Sequence, residues 1–337
     1  MNSSSIQLAL EAAITAGNSV RGTTSPNPPV GAAILDLHGD IVGIGSTQPP
    51  HAADNAHAEI MALRSAGARA RGGIAVVTLE PCNHQGRTGP CAVALAEAGI
   101  AEVYYATADP NPTAAGGAEY LRSRGIPTTH LDVQVDALQP WLISVRHGRA
   151  CVTAKMAQTL DGFSAAEDGS SQWITGAEAR AHATAARAQR DAIIVGTGTA
   201  LADSPQLTAR AADGSLLPHQ PQRVVVGRRS LPAGHPLSSP DVWRFATLDE
   251  ALDALHQRGM VDVLLEGGPT LIGSALAAGA VDIIHSYLNP SFLGSGLPAA
   301  VFAPDSDRPT SIGDLSRYTL HRVMQLGGDV LLISTRQ

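Results

Sequence analysis

The sequence predicts an α/β protein with two domains, and two observations support this prediction. The chain has 337 residues, and at roughly 100–200 residues per domain this length suits two domains or one large one. Apolar runs of strand length alternate with alanine-rich helical stretches, as they do where helices cover a sheet. A second block of such elements begins near Ala150. We place the boundary between Trp141 and Ala150, which divides the chain into residues 1–146 and 147–337.

The first block begins with a helix. Residues 6–16 are typical of an amphipathic helix rather than a signal peptide, and Gly17 after them tolerates the positive φ of a helix end. Strands at 30–35 and 41–44 flank the turn His38-Gly39-Asp40. The remaining elements are a helix at 57–69, a buried strand at 74–79, a short helix at 91–98 ended by Gly99, and a strand at 101–106.

The second block opens with a strand at 151–156 and a helix at 175–190. Thr175 and Glu178 have the spacing of a capping box, in which both side chains satisfy amide donors at a helix start. The chain ends in a hairpin around Gly327-Gly328, with strands at 322–325 and 330–334. Four further strands are expected at 192–195, 223–226, 261–265 and 282–287.

The composition excludes several classes of protein. The chain has 23 Lys and Arg against 30 Asp and Glu, a net charge of −7, and only 4% aromatic residues, unlike a nucleic-acid binder. Its apolar stretches are far shorter than the roughly 18 residues that a membrane span needs. Three cysteines argue against a disulfide scaffold and for a reducing compartment. We therefore expect a cytoplasmic enzyme that binds neither nucleic acid nor membrane.

Three motifs in the first block could supply a zinc site. His57 and Glu59 stand at the start of a helix, Cys82 follows a strand and a proline, and Cys91 begins the next helix. Catalytic zinc takes three protein ligands and keeps a fourth position for water, whose pKa it lowers towards about 7. Glu59 would carry a proton from that water to the leaving group. Zinc nucleobase deaminases have this arrangement, with a glutamate that is not a ligand.

Each of these residues has a simpler interpretation when it is taken alone. A single cysteine is usually a small buried apolar residue. A structural zinc site is a further alternative, but it needs four protein ligands, for which Cys151 would have to leave the core of the second block. Because His-x-Glu and Pro-Cys occur together in the order typical of deaminases, we predict a catalytic site.

The spacing between Cys82 and Cys91 departs from the usual Cys-x-x-Cys. Residues 78–91, together with 25–31 and His57-Ala58-Glu59, closely resemble the deaminase half of the bifunctional riboflavin-biosynthesis deaminase–reductase family. The resemblance implies a three-layer α/β/α fold like that of cytidine deaminase and one Zn²⁺ on His57, Cys82 and Cys91, with proton transfer by Glu59. It also implies four substrate contacts: Asn27 at the pyrimidine, His84 and Arg87 near the ribose phosphate, and His51, whose segment 51–56 lacks the glycine usual in the family.

Two glycine clusters of the second block could bind a nucleotide. Gly196-Thr197-Gly198 follows a strand, but a third glycine is missing and no apolar helix is expected after it, so tight-turn glycines explain it better. Gly267-Gly268 lies between a buried strand and Pro269, and proline suits a first helical turn. Glycines let a ligand approach the backbone, and a helix N-terminus attracts phosphate. An ordinary strand–helix turn is the simpler alternative.

Four segments beginning at Lys155, Ser171, Leu201 and Glu266 occur in an order that resembles the reductase half of the same family, whose fold is similar to dihydrofolate reductase. The resemblance implies that NADPH is bound by Ala157, Trp173, Thr199, Asp203, Gly268, Pro269, Thr270, Leu271, Ile272 and Gly273. The implied substrate contacts are Lys155, Ser171, Arg187, Leu207, Arg210 and Glu266. Both arginines suit a phosphate fork. Lys155 is a polar partner for the reacting ribosyl carbon, or else a strand-edge lysine in solvent.

The resemblance also implies a coupled activity. Residues 1–146 would hydrolyse the exocyclic amine of 2,5-diamino-6-(5-phosphoribosylamino)pyrimidin-4-one to give 5-amino-6-(5-phosphoribosylamino)uracil and ammonia. Residues 147–337 would then reduce the ribosyl group to ribityl with NADPH. The expected partner is a small phosphorylated pyrimidine, and the expected assembly is a homo-oligomer, dimer or tetramer.

Two other hypotheses remain open at this point. A nucleic-acid-editing deaminase would share the zinc motif but predicts basic and aromatic surfaces, which the net charge of −7 opposes. A non-catalytic zinc-stabilised module would not need Glu59.

Overall fold

The computed structural model describes residues 3–84 and 89–337. Contacts between residues divide the chain into two compact units, Met1–Gly148 and Arg149–Gln337. Within the described residues, no helix is both long and apolar enough to span a membrane.

The first unit is built on a five-stranded sheet in the order β2-β1-β3-β4-β5. Its strands are β1 (Gly31–Leu35), β2 (Ile41–Ser46), β3 (Ile74–Leu79), β4 (Glu102–Thr107) and β5 (Thr128–His130). Its helices are α1 (Ser3–Ser19), α2 (Ala58–Ala66), α3 (Cys91–Glu97), α4 (Gly117–Ser123) and α5 (Gln139–His147). Strand β1 is antiparallel to both its neighbours, whereas β3, β4 and β5 run parallel. The apolar strands β1 and β3 are buried along their whole length.

Close backbone contacts hold two helices against this sheet. Helix α1 does not end at Gly17 as predicted but continues to Ser19. Gly17 instead allows close packing, because a Cβ added there would lie 2.7 Å from the carbonyl oxygen of Pro29. A Cβ added at Gly45 of β2 would lie 2.3 Å from the carbonyl oxygen of Ala58. Glycine at this position therefore lets the start of α2 approach β2.

The second unit contains an eight-stranded sheet in the order β10-β9-β8-β11-β6-β12-β15-β14 and a two-stranded sheet, β13-β7. Its strands are β6 (Cys151–Thr159), β7 (Phe163–Ala165), β8 (Ala192–Gly196), β9 (Gln222–Val226), β10 (Trp243–Phe245), β11 (Asp262–Leu265), β12 (Ile283–Asn289), β13 (Leu297–Pro298), β14 (Tyr318–Leu326) and β15 (Asp329–Arg336). Its helices are α6 (Ala177–Ala186), α7 (Thr197–Asp203), α8 (Leu248–His256) and α9 (Pro269–Ala277). The large sheet is parallel from β10 to β12 and ends in the antiparallel hairpin β15–β14.

Alternate residues of these strands face opposite sides of the large sheet, and the two sides contribute to different core clusters. Ala154 and Leu265 belong to a core cluster that includes buried residues of α8 and α9. Ile193 and Leu264 belong to another cluster, which contains Leu207. The carboxyl ends of the parallel strands meet at one edge, where ligands bind in open α/β sheets.

Two local predictions for the second unit are wrong. Helix α6 begins at Ala177 and its N-cap is Gly176, without a side-chain cap. The amide of Gly176 donates to the buried carboxylate of Asp329 at 2.6 Å, so a residue from the terminal hairpin satisfies a donor at this helix start. A short helix, α7, also follows Gly196, where no apolar helix was expected.

Candidate functional site

Three elements of the first unit bring the predicted zinc ligands together. His57 is the N-cap of α2, Cys82 follows β3, and Cys91 is the first residue of α3. The Nδ1 atom of His57 lies 3.5 Å from the Sγ of Cys82 and 3.3 Å from the Sγ of Cys91. The three ligand atoms all lie within 4.8 Å of one another.

These donors fit a zinc ion. Zinc binds sulfur at about 2.3 Å and imidazole nitrogen at about 2.0 Å, so its ligands lie at most about 4.6 Å apart. The nitrogen–sulfur distances of 3.5 and 3.3 Å meet that limit, and both thiols are buried. Hydrogen bonding with Cys91 lowers the pKa of Cys82 to about 4, and the same contact raises the pKa of Cys91. Both cysteines would bind a divalent cation as thiolates, so its binding would release their protons.

Glu59 lies in the first turn of α2, beside these ligands, and only 4% of it is exposed. Burial, followed by the negative charge of Cys82, raises the pKa of Glu59 to about 7. A carboxyl group that titrates near neutral pH can both accept and return a proton. Glu59 therefore has the environment of a general acid–base.

The predicted substrate contacts of the first unit differ in their surroundings. Asn27 is half-buried in the loop before β1, and His51 is exposed. His84 is half-buried, and its Nδ1 atom is buried without a hydrogen-bond partner among the described residues. Arg87 lies outside the described residues.

Sequence reasoning missed two carboxylates near the same site. Glu80 accepts from the amides of Gly116 and Ala118 at 3.2 and 3.0 Å, so it caps the start of α4. Burial raises the pKa of Asp109, and the charges of Glu80 and Cys82 add to that shift. The signal that could have found Asp109 is its position just after the strand β4.

The second unit brings three predicted substrate residues together at its sheet edge. Arg187 donates from Nε and Nη2 to the two carboxylate oxygens of Glu266, each at 2.8 Å, and from Nη1 to the carbonyl of Thr208 at 3.0 Å. Glu266 directly follows β11, whose Leu265 pairs with Ala154 of β6, so Glu266 lies beside Lys155. Glu266 therefore occupies the Nε–Nη2 side of the Arg187 guanidinium.

Arg210 is also engaged within its own loop. Its Nη2 donates to Gln206 at 2.6 Å, its Nη1 to the carbonyl of Gly214 at 2.7 Å, and its Nε to Thr208 at 3.1 Å. Leu207 in the same loop is buried, with a φ of 55°. A substrate would reach this loop through its backbone or by displacing a contact of Arg210.

The glycine turn before α9 has the predicted form. Gly268 is the N-cap of this helix and Pro269 opens its first turn. A Cβ added at Gly268 would lie 2.7 Å from the hydroxyl of Thr199, so two predicted cofactor contacts meet here. Ile272 is a core residue, and a Cβ added at Gly273 would lie 2.0 Å from the carbonyl oxygen of Val301. Both therefore face the protein interior.

The remaining predicted cofactor residues lie on several elements. Thr270 is exposed, Leu271 is half-buried in α9, and Ala157 is half-buried in β6. Asp203 is the exposed last residue of α7. Burial raises the pKa of Asp203, and the charge of Lys155 opposes that shift.

Two more of the predicted residues, Ser171 and Trp173, line a cavity of about 760 Å³. Trp173 is 68% exposed, and the guanidinium of Arg180 lies 4.3 Å from its ring centroid. Thr159 and Asn289, from the carboxyl ends of β6 and β12, also line the cavity. It therefore lies at the sheet edge where ligands of such folds bind.

Comparisons with known proteins find relatives for both units. The family model "Cytidine and deoxycytidylate deaminase zinc-binding region" matches residues 3–107, and the model "RibD C-terminal domain" matches residues 150–332. The riboflavin biosynthesis protein RibD of Corynebacterium ammoniagenes is 51% identical over 299 residues, which cover 87% of this chain and 88% of that protein. The RibD protein of Mycobacterium tuberculosis strain H37Rv is 48% identical over 336 residues, covering 97% and 96%.

Solved structures show the same similarity across both units. Acinetobacter baumannii RibD, form 1, is 33% identical, with a TM-score of 0.81 and coverage of 99% of each chain. The Thermotoga maritima diaminohydroxyphosphoribosylaminopyrimidine deaminase/5-amino-6-(5-phosphoribosylamino)uracil reductase is 28% identical, with a TM-score of 0.84 and the same coverage of 99%.

Proposed function

This chain belongs to the RibD family of bifunctional riboflavin-biosynthesis enzymes, and from that premise we propose how its residues divide the two reactions. The predicted fold class and the two predicted activities, deaminase and reductase, are confirmed. Such an enzyme uses zinc and a nicotinamide cofactor. We assign deamination to the unit Met1–Gly148 and reduction to the unit Arg149–Gln337, a division two residues after the boundary predicted from the sequence. The observation that carries the assignment is the convergence of His57, Cys82 and Cys91 next to the buried Glu59.

The deaminase half hydrolyses the exocyclic amine of 2,5-diamino-6-(5-phosphoribosylamino)pyrimidin-4-one. His57, Cys82 and Cys91 hold one Zn²⁺, which when bound activates water for attack at neutral pH. Glu59 takes a proton from the attacking water and delivers it to a ring nitrogen, and it then carries the proton of the added hydroxyl to the exocyclic amino group, which leaves as ammonia. Its burial and raised pKa support this role.

Side chains around that centre bind the rest of the substrate. Asn27 contacts the pyrimidine, His84 and Arg87 lie near the ribose phosphate, and His51 is a further contact. The Nδ1 of His84, which has no hydrogen-bond partner in the described part of the chain, supports this assignment, since a buried polar atom without a partner costs free energy that a substrate hydrogen bond would offset.

The reductase half reduces the ribosyl group of 5-amino-6-(5-phosphoribosylamino)uracil to ribityl. NADPH supplies the hydride when bound, and the protein orients the reactants. Lys155, at the sheet edge, contacts the reacting end of the sugar, with Ser171, Arg187, Leu207, Arg210 and Glu266 as further contacts. Thr199 and the turn at Gly268 lie close together, which supports a cofactor site formed by Ala157, Trp173, Thr199, Asp203 and the segment Gly268–Gly273.

Two arginines favour NADPH over NADH. Arg228 and Arg229 directly follow β9 at the same sheet edge, and both are exposed. Neither guanidinium forms an ion pair within the described parts of the chain. Arginine near the ribose accommodates the 2′-phosphate that distinguishes NADPH. We also propose a cytoplasmic homo-oligomer, and the three free cysteines support a reducing compartment.

A paired assay on the purified chain tests this function. Ammonia release and NADPH oxidation are followed separately with the diaminopyrimidinone substrate, and Glu59→Gln serves as the matched variant. We expect ammonia to appear first and NADPH oxidation to depend on it. In Glu59→Gln, ammonia release should fall by about 100-fold or more with zinc retained, while the deaminated substrate is still reduced. Ammonia release at the wild-type rate in Glu59→Gln would contradict the proposed role of Glu59.

A further inference from the structure

The ammonium group of Lys155 has unused hydrogen-bond donors. Lys155 is half-buried on β6, and it donates no hydrogen bond to any residue in the described ranges 3–84 and 89–337. The neighbouring carboxylate, Glu266, is bound at both oxygens by Arg187. The position of the ammonium must therefore depend on a contact that leaves its N–H groups free.

Tyr287 provides such a contact. The Nζ of Lys155 lies 5.9 Å from the centroid of the Tyr287 ring, within the range of a cation–π interaction. Tyr287 pairs with Ala157 in the parallel register of β12 and β6, so Tyr287 and Lys155 project to the same face of the sheet. Only 2% of Tyr287 is exposed. The ring is therefore shielded from solvent and lies beside the ammonium group of Lys155.

A second contact holds the ring in place. The Nδ1 of His182, on α6, lies 2.9 Å from the Tyr287 hydroxyl. The two ring centroids are 5.9 Å apart, with the planes tilted by 58°. Because the hydroxyl is hydrogen-bonded, the ring does not slide along the sheet without losing that bond.

We propose that Tyr287, anchored by His182, is a positioning residue that fixes the ammonium of Lys155 for reduction of the sugar. This inference rests on the proposed function of the reductase half. The attraction between an ammonium and a ring face needs no N–H donor of its own, so all the donors of Lys155 remain available to oxygen atoms of the substrate. A hydrogen-bond acceptor in the same place would compete with the substrate for them.

Substitutions at Tyr287 separate the ring from the hydroxyl. With 5-amino-6-(5-phosphoribosylamino)uracil as substrate, Tyr287→Leu should lower kcat for NADPH oxidation by roughly 3- to 30-fold, with KM for NADPH unchanged. Tyr287→Phe keeps the ring and should retain most of kcat. Tyr318→Leu is the matched control, since Tyr318 is a half-buried tyrosine whose hydroxyl bonds the Val281 carbonyl. A wild-type melting transition of the unit Arg149–Gln337, measured by scanning calorimetry, is the control for folding.

Two substitutions at His182 test the same proposal if the Tyr287→Leu variant does not fold. His182→Ala removes the anchor and should lower kcat by roughly 2- to 10-fold, whereas His182→Gln, which can still bond the hydroxyl, should restore it. Equal kcat in wild type, His182→Ala and Tyr287→Leu would overturn the inference. An equal loss in Tyr287→Leu and Tyr318→Leu would also overturn it and make Tyr287 a packing residue. Absence of NADPH oxidation by the wild-type chain would refute the proposed function instead.

Discussion

Replacing Arg187 by methionine should destabilise the unit Arg149–Gln337 by a large, pH-dependent amount. Arg187 and Glu266 are a buried ion pair, with 18% and 8% of their side chains exposed. Burial alone would raise the pKa of Glu266, but the nearby charge and hydrogen bonds of Arg187 hold it below its usual value. Methionine keeps the apolar length of the side chain and removes every one of those contacts.

The expected magnitude follows from the geometry. Removing one partner of a buried pair leaves an uncompensated charge and costs about 3–5 kcal/mol. For a domain of this size, that loss lowers Tm by roughly 6–20 °C. The double substitution of Arg187 and Glu266 by methionine should recover most of the loss, because no charge is then left unpaired.

The sign of the pH dependence is fixed by the pKa of Glu266. In the wild type this pKa is lowered, so the pair stabilises the fold above the unfolded pKa of the carboxyl group, and that stability is lost as pH falls through the folded pKa. In Arg187→Met, burial raises the pKa of Glu266, so protonation relieves the penalty as pH falls. The loss in free energy of unfolding caused by Arg187→Met should therefore be larger at about pH 7 than at about pH 5.

Scanning calorimetry of the full chain measures this directly. The transition that EDTA shifts belongs to the zinc-binding unit, and the Arg187→Met effect should fall on the other transition. A loss below about 1 kcal/mol, typical of exposed pairs, or an equal loss at both pH values would refute the argument.

Three further substitutions test the remaining assignments. Cys91→Ser should reduce bound zinc, measured by atomic emission, to a small fraction and lower the Tm of the first unit, since metal binding contributes folding free energy; a full zinc content would contradict its role as a ligand. Gly45→Ala should destabilise that unit by about 1–3 kcal/mol and weaken zinc retention during dialysis, because a Cβ there meets the Ala58 carbonyl at 2.3 Å. Its control is Gly328→Ala, where a Cβ meets nothing within 4 Å. Arg210→Ala should raise KM of the deaminated substrate by roughly tenfold or more without changing ammonia release; an equal effect on both reactions would contradict two separate sites.

Local patterns in the chain were sufficient for much of the fold and for the metal centre. The apolar run 74–79 is confirmed as β3, residue for residue, because a strand buried on both faces needs such a run. Proline after two glycines correctly predicted the start of α9. The clustering of His57, Cys82 and Cys91 could be predicted because each residue stands at a short local signal: a helix start for His57 and Cys91, and a strand end for Cys82.

Contacts between distant residues could not be predicted in this way. Asp329 satisfies a donor at the start of α6 from 153 residues away, and the predicted capping box is not formed there. Arg187 pairs with Glu266 across 79 residues, and His182 meets Tyr287 across 105. The sequence alone determined the chemistry available at each strand and helix end, since that depends on neighbours along the chain. Only the tertiary structure decided which charges neutralise each other and which donors stay free, because those depend on strand order and register.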